Sequence, residues 1–130
     1  KIATEKASRW DIKRLERVIN SMENALAQDS IKAWIRADIS FHSLILRIAD
    51  NKFLREGIHK IIDKTQRVRL ITMRAEELRA RSTKEHRKMM EAIRGHKAEL
   101  ARKITQAHWA RVREDTANYL SSVSKITGRL

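Results

Sequence analysis

Apolar residues recur at intervals of three and four from Trp10 to Leu120, and no proline breaks the pattern anywhere in 130 residues. A helix returns to the same face about every 3.6 positions, so this spacing constrains the chain to amphipathic helices and leaves no place for a sheet. An apolar share of 42% is enough for a packed interior despite 35% charged residues, which argues against disorder. One hydrophobic core is what a chain of this length can bury.

Ser8 is placed to cap a helix carried by Trp10, Ile12, Leu15, Val18, Ile19, Met22 and Leu26 and ending about Gln28. Lys1 to Ala7 read as the end of a preceding helix. A second stripe runs through Ile31, Trp34, Ile35, Phe41, Leu44, Ile45 and Ile48 to about Asp50 and Asn51, and a third, longer one through Phe53, Leu54, Ile58, Ile61, Ile62, Val68 and Met73. The charged run from Arg74 to Arg81 dilutes the pattern and is expected to form a loop or frayed turn. Ser82 and Glu85 have the spacing of a capping box, which predicts a short helix from there through Met89, Met90 and Ile93, stopped by Gly95 at C′. The last helix is expected from about His96 past Leu100, Ile104, Ala107, Val112, Tyr119 and Leu120, fraying before Gly128. The sum is an all-α antiparallel bundle of about six helices.

Four ionisable residues fall on the apolar stripes. Asp38 is seven positions from both Ile31 and Ile45, and His42 is four beyond Asp38; His86 is seven before Ile93, and His108 is four from both Ile104 and Val112. All four therefore point inward, where an unpartnered carboxylate is costly. Singly, each has a plain explanation: an inward histidine is usually a hydrogen-bonded core residue, and Asp38 with His42 fits an i,i+4 ion pair. One divalent metal ion would satisfy all four together at the centre of the bundle. The chain has no cysteine, so such an ion rests on imidazole and carboxylate alone, a donor set that suits zinc first and nickel or manganese as alternatives. Four protein ligands on an octahedral ion leave two neighbouring positions for a small acid. His59 lies on a polar face and His96 follows Gly95 at a helix start, so neither is taken as a ligand.

The residues Asp38-Ile39-Ser40-Phe41-His42, followed by Asn51-Lys52-Phe53-Leu54, resemble the D-x-x-F-H … N-x-x-L signature of the FCD domain, the effector-binding half of FadR-type regulators in the GntR superfamily. Glu85-His86 with Ala92-Ile93-Arg94-Gly95 is similar to that family's second segment, and Ala101 with His108 to its last. The resemblance runs from about Asp11 to Tyr119 and makes the whole of residues 1–130 one effector-binding and dimerisation domain. It implies that Asp38, His42, His86 and His108 are the metal ligands and that a small organic acid is the effector. It also implies a homodimer and a winged-helix DNA-binding domain preceding Lys1. The chain departs from the family at His96, where Asp is common.

An anionic effector needs a cation besides the ion. Arg69 is eleven positions from Ile58 and seven from Ile62, so it faces the core, with Thr65 and Thr72 on the same face; Arg67 faces the opposite way. Arg69 is therefore the effector-binding candidate, as one half of a guanidinium–carboxylate pair, although pairing with a buried acid of the protein fits equally well. Trp34 and Trp109 could line the pocket, but large aromatics at helical spacing are more often core, so neither is counted as a site residue.

The formal net charge of +13 raises a nucleic-acid role, but the basic residues are spread evenly and interleaved with acids, as on a solvated surface. No long apolar run or leader pattern opens the chain, so the expected setting is cytoplasmic, away from membranes. The leading reading is a sensor of a transcription regulator and not an enzyme, since no spare general base stands beside the ligands. Two others remain open on the residues alone: a metal-dependent hydrolase or oxygenase, and a cationic helical module that binds nucleic acid by charge.

Overall fold

A short helix, α1 (Ile2–Lys6), leads into α2 (Arg9–Ala27) through Ser8, where the expected cap forms. The Ser8 hydroxyl accepts the Asp11 amide at 3.2 Å and the Asp11 carboxylate accepts the Ser8 amide at 2.9 Å, a reciprocal pair that satisfies two orphan donors of the first turn. The computed structural model describes residues 2–50, 56, 59, 60, 63 and 69–128. Within them follow α3 (Ile31–Ile48), α4 (Glu76–Arg94) and α5 (Ala98–Thr127), and no strand occurs among the described residues.

Helix α2 packs on α3 and α4, α5 packs on α4, and α1 touches α3, α4 and α5. The stripes meet in a core built around Leu15, Ile19, Phe41, Met89, Met90 and Ile93, continued by Met22, Trp34, Ile35 and Met73. Burying each such side chain is worth about 1.5–3 kcal/mol, which is what holds helices with so many charges together. Trp34 is fully buried and its indole N–H donates to the Thr83 hydroxyl at 2.9 Å, tying α3 to α4 from within. Trp10, by contrast, stands 70% exposed under the ammonium of Lys13 rather than on the core stripe.

Three expectations about the second half change. Residues 76–81 are not a loop but the first turns of α4, and Ser82 with Glu85 is no capping box; the cap residue is Ala75, and Ser82 is buried in mid-helix. The reason is that α4 buries a polar face, Arg79, Ser82, Thr83 and His86, whose helical spacing a hydropathy pattern cannot register. Arg79 is 1% exposed because its guanidinium donates to the carbonyls of Met73 and Arg74, at 2.5 and 2.9 Å, and to the Asp29 carboxylate at 2.8 Å. It thereby closes the turn that enters α4. The αL residue after α4 is His96, φ +56°, one position later than expected; Gly95 keeps φ −80°. The Lys97 amide donates back to Ala92 at 2.9 Å, which makes this a Schellman ending with a histidine where glycine is usual.

Of the long helix expected over residues 53–73, Glu56, His59, Lys60, Asp63 and residues 69–72 are helical. Phe53, Leu54, Ile58, Ile61, Ile62, Thr65, Arg67 and Val68 lie outside the described residues. No helix among the described residues is long and apolar enough to cross a membrane.

Candidate metal centre

His42 on α3, His86 on α4 and His108 on α5 converge in the interior, each offering a ring nitrogen within 4.8 Å of the others'. Helical register accounts for this: each sits on the inward face of its own helix. His86 is fully buried and stacks flat on Phe41, ring centroids 4.3 Å apart, while its Nε2 lies 3.4 Å from Nε2 of His108. The His42 and His86 rings meet edge to face at 4.8 Å.

Asp38, one turn before His42, is 3% exposed and borders the cluster. Its Oδ1 lies 3.5 Å from Nε2 of His42 and 3.6 Å from Nδ1 of His86, so His86 faces the carboxylate with one nitrogen and His108 with the other. The four residues marked by the sequence thus stand together. Arg69 joins them: its guanidinium pairs with Oδ2 of Asp38. Thr72, on the same turn, is buried and its hydroxyl donates to the Arg69 carbonyl at 3.4 Å.

Burial disfavours the charged form of every imidazole here. It pushes His42 down to about 4. It takes His86 well below the usual histidine range, helped by repulsion from its two histidine neighbours. His108 is also lowered by burial, with its bond to Glu85 working in the opposite direction. Three neutral imidazoles with ring nitrogens turned toward one another, next to a carboxylate, are a donor set that fits a borderline divalent cation. These three histidines can hold a metal ion.

A second layer of residues escaped the sequence reading. The Glu85 carboxylate bonds Nδ1 of His108 on one side, and accepts from Arg111 at 2.5 Å to Oε1 and 3.1 Å to Oε2 on the other. Arg111 in turn donates to Asp115 at 2.5 Å and to the Ser82 hydroxyl at 2.8 Å. Burial alone would raise the Glu85 pKa, but the bonds from Arg111 and His108 and the charge of Arg111 take it below the ordinary value. The only hint in the sequence is spacing along α5, where Arg111 is three beyond His108 and Asp115 four beyond Arg111.

The two control histidines stay apart from the cluster. His59 is half-buried with Nε2 3.4 Å from the Ser43 hydroxyl, and His96 sits in the turn before α5. Trp109, by contrast, stands beside it: its ring centroid is 5.1 Å from that of His42 and 5.3 Å from that of His108, and 45% of its surface is open to solvent. A groove of about 470 Å³ lined by Arg14, Ser40, Ser43, Arg47 and His59 shares no residue with the cluster.

The family model of the FCD domain matches residues 1–111, which takes in α1 to α4, the start of α5 and each of Asp38, His42, Arg69, His86 and His108. No curated protein matches the chain.

Proposed function

The chain belongs to the FCD domain family, the effector-binding domain of FadR/GntR-type regulators, and on that premise we propose that it binds one divalent metal ion and, through it, a small organic acid. The observation that carries this reading is the convergence of His42, His86 and His108, one half-buried and two buried neutral imidazoles from three helices with ligand atoms within 4.8 Å of one another. Burying three imidazoles side by side costs desolvation that their few polar contacts offset only in part, whereas metal binding to the folded state adds RT ln(1 + [L]/Kd).

His42, His86 and His108 are the nitrogen ligands and Asp38 the carboxylate ligand, supported by its 3.5 Å approach to His42. Zinc suits this set best, with nickel and manganese as alternatives. The ion supplies open coordination positions to an acid. Arg69 takes the part of the anion that faces away from the ion, which its place against Asp38 allows. Trp109 walls the solvent side.

A bound acid then biases the relative placement of two DNA-binding heads in a homodimer, to the extent that it distinguishes their arrangements. We assign no residue a catalytic role. Glu85, the carboxylate that contacts His108, is engaged by His108 and Arg111 and is not a free base.

Calorimetric titration of citrate, as a probe acid, into zinc-loaded and zinc-free protein tests this. Binding to the loaded form at least tenfold tighter is expected. Equal affinity for both forms would reject a metal-mediated site. Sedimentation of the same samples checks the dimer, and a monomer at every concentration would remove that part.

A further inference from the structure

We propose that Glu85 is the positioning residue of this centre: it holds the Nδ1 proton of His108 and so keeps the Nε2 lone pair turned toward His42 and His86. The inference rests on the reading of His108 as a metal ligand. It concerns a residue that touches neither ion nor acid.

The geometry supports one direction of influence. His108 uses Nδ1 for Glu85 and leaves Nε2 facing His86 at 3.4 Å. A neutral imidazole has one protonated nitrogen, and an ionised carboxylate can only accept, so the proton lies on Nδ1 and the lone pair on Nε2. A carboxylate behind a ligating histidine also raises the basicity of the ligating nitrogen and stops the ring from turning.

Glu85 is itself held. Arg111 grips both of its oxygens and is anchored by Asp115 one turn along α5 and by Ser82 on α4, so the carboxylate cannot swing away from His108. A plain staple between α4 and α5 would contribute stability and nothing more. The two roles differ in what they move. A staple alters the melting of the metal-free protein, whereas a positioning residue alters the tautomer of His108 and the affinity for metal.

Glu85→Ala, Glu85→Gln, Arg111→Lys and His108→Ala in the full chain distinguish them. Zinc affinity is read by competition with a chromophoric chelator, the His108 tautomer by long-range proton–nitrogen NMR of metal-free protein, and folding by thermal melting without metal. Glu85→Ala is expected to weaken zinc binding by about 10–100-fold and to shift His108 away from the Nδ1–H form. Glu85→Gln retains an acceptor oxygen and should keep the tautomer and most of the affinity. If Glu85→Ala does not fold, Arg111→Lys, which loosens the grip on Glu85, should show the same changes in smaller measure. Unchanged zinc affinity and tautomer in Glu85→Ala and Arg111→Lys, with zinc lost in His108→Ala, would overturn the role of Glu85 and leave the metal reading standing. Zinc retained by His108→Ala would overturn both.

Discussion

Asp38 and Arg69 form a nearly buried ion pair through one carboxylate oxygen, while the other oxygen of Asp38 faces His42 and His86 at 3.5 and 3.6 Å. One acid thus links the Arg69 guanidinium to the histidine cluster. A charge buried without a partner is costly, so the pair explains how Arg69 can face the core at all.

Replacing Arg69 separates its roles. Arg69→Ala should weaken citrate binding by about 1.5–3 kcal/mol, the scale of a charge-assisted hydrogen bond, with zinc content intact. It should also lower the stability of the metal-free protein, because Asp38 loses its counter-charge. Calorimetry and urea unfolding read the two effects, and unaltered citrate affinity would remove Arg69 from the acid site.

The buried imidazoles make the metal-free protein sensitive to acid. His42 titrates at about 4 when folded, against about 6.5 unfolded, so between these values the unfolded chain binds more protons. Stability from this source is therefore complete above about pH 7 and is lost as the pH falls toward 4. A shift of this size corresponds to about 3 kcal/mol for His42, and His86 and His108 act in the same direction. Urea midpoints of metal-free protein across this range should fall steadily, and His42→Asn should flatten the slope. Equal midpoints at pH 7 and pH 4.5 would show that the imidazoles are not buried neutral.

His96 occupies a left-handed conformation that costs an L-residue about 1–2 kcal/mol, in an exposed turn. His96→Gly removes that strain at some entropic cost in the unfolded chain, leaving a net gain of about 0.5–1 kcal/mol. A melting temperature raised with metal binding unchanged is expected; a lower one would mean that the imidazole contributes more than its backbone costs.

The first half of the fold was legible because its signals are local. Ser8 and Asp11 cap within one turn, and the buried stripe from Ile31 to Ile48 is apolar except at Asp38. Asp38, His42, His86 and His108 stood out by the same register, since each lies in phase with apolar residues of its own helix. Helix α4 resisted because its inner face is polar: Arg79 is soluble in the core only through carbonyls and an acid distant in sequence, and Ser82 and Glu85 mimic a cap while pairing with α5. Glu85 and Arg111 could not be matched beforehand, because an ion pair across 26 positions depends on how two helices pack. The placement of Arg69 facing inward was legible, but its partner was not.

Elemental analysis of the purified domain tests the central claim most directly, comparing the native chain with His86→Ala, His108→Ala and His59→Ala. The native protein and His59→Ala should carry close to one divalent metal ion per chain, and the other two variants close to none, since each removes one of three converging nitrogens while His59 stands apart with Ser43. Equal metal content in all four proteins would contradict the site, whichever ion was found.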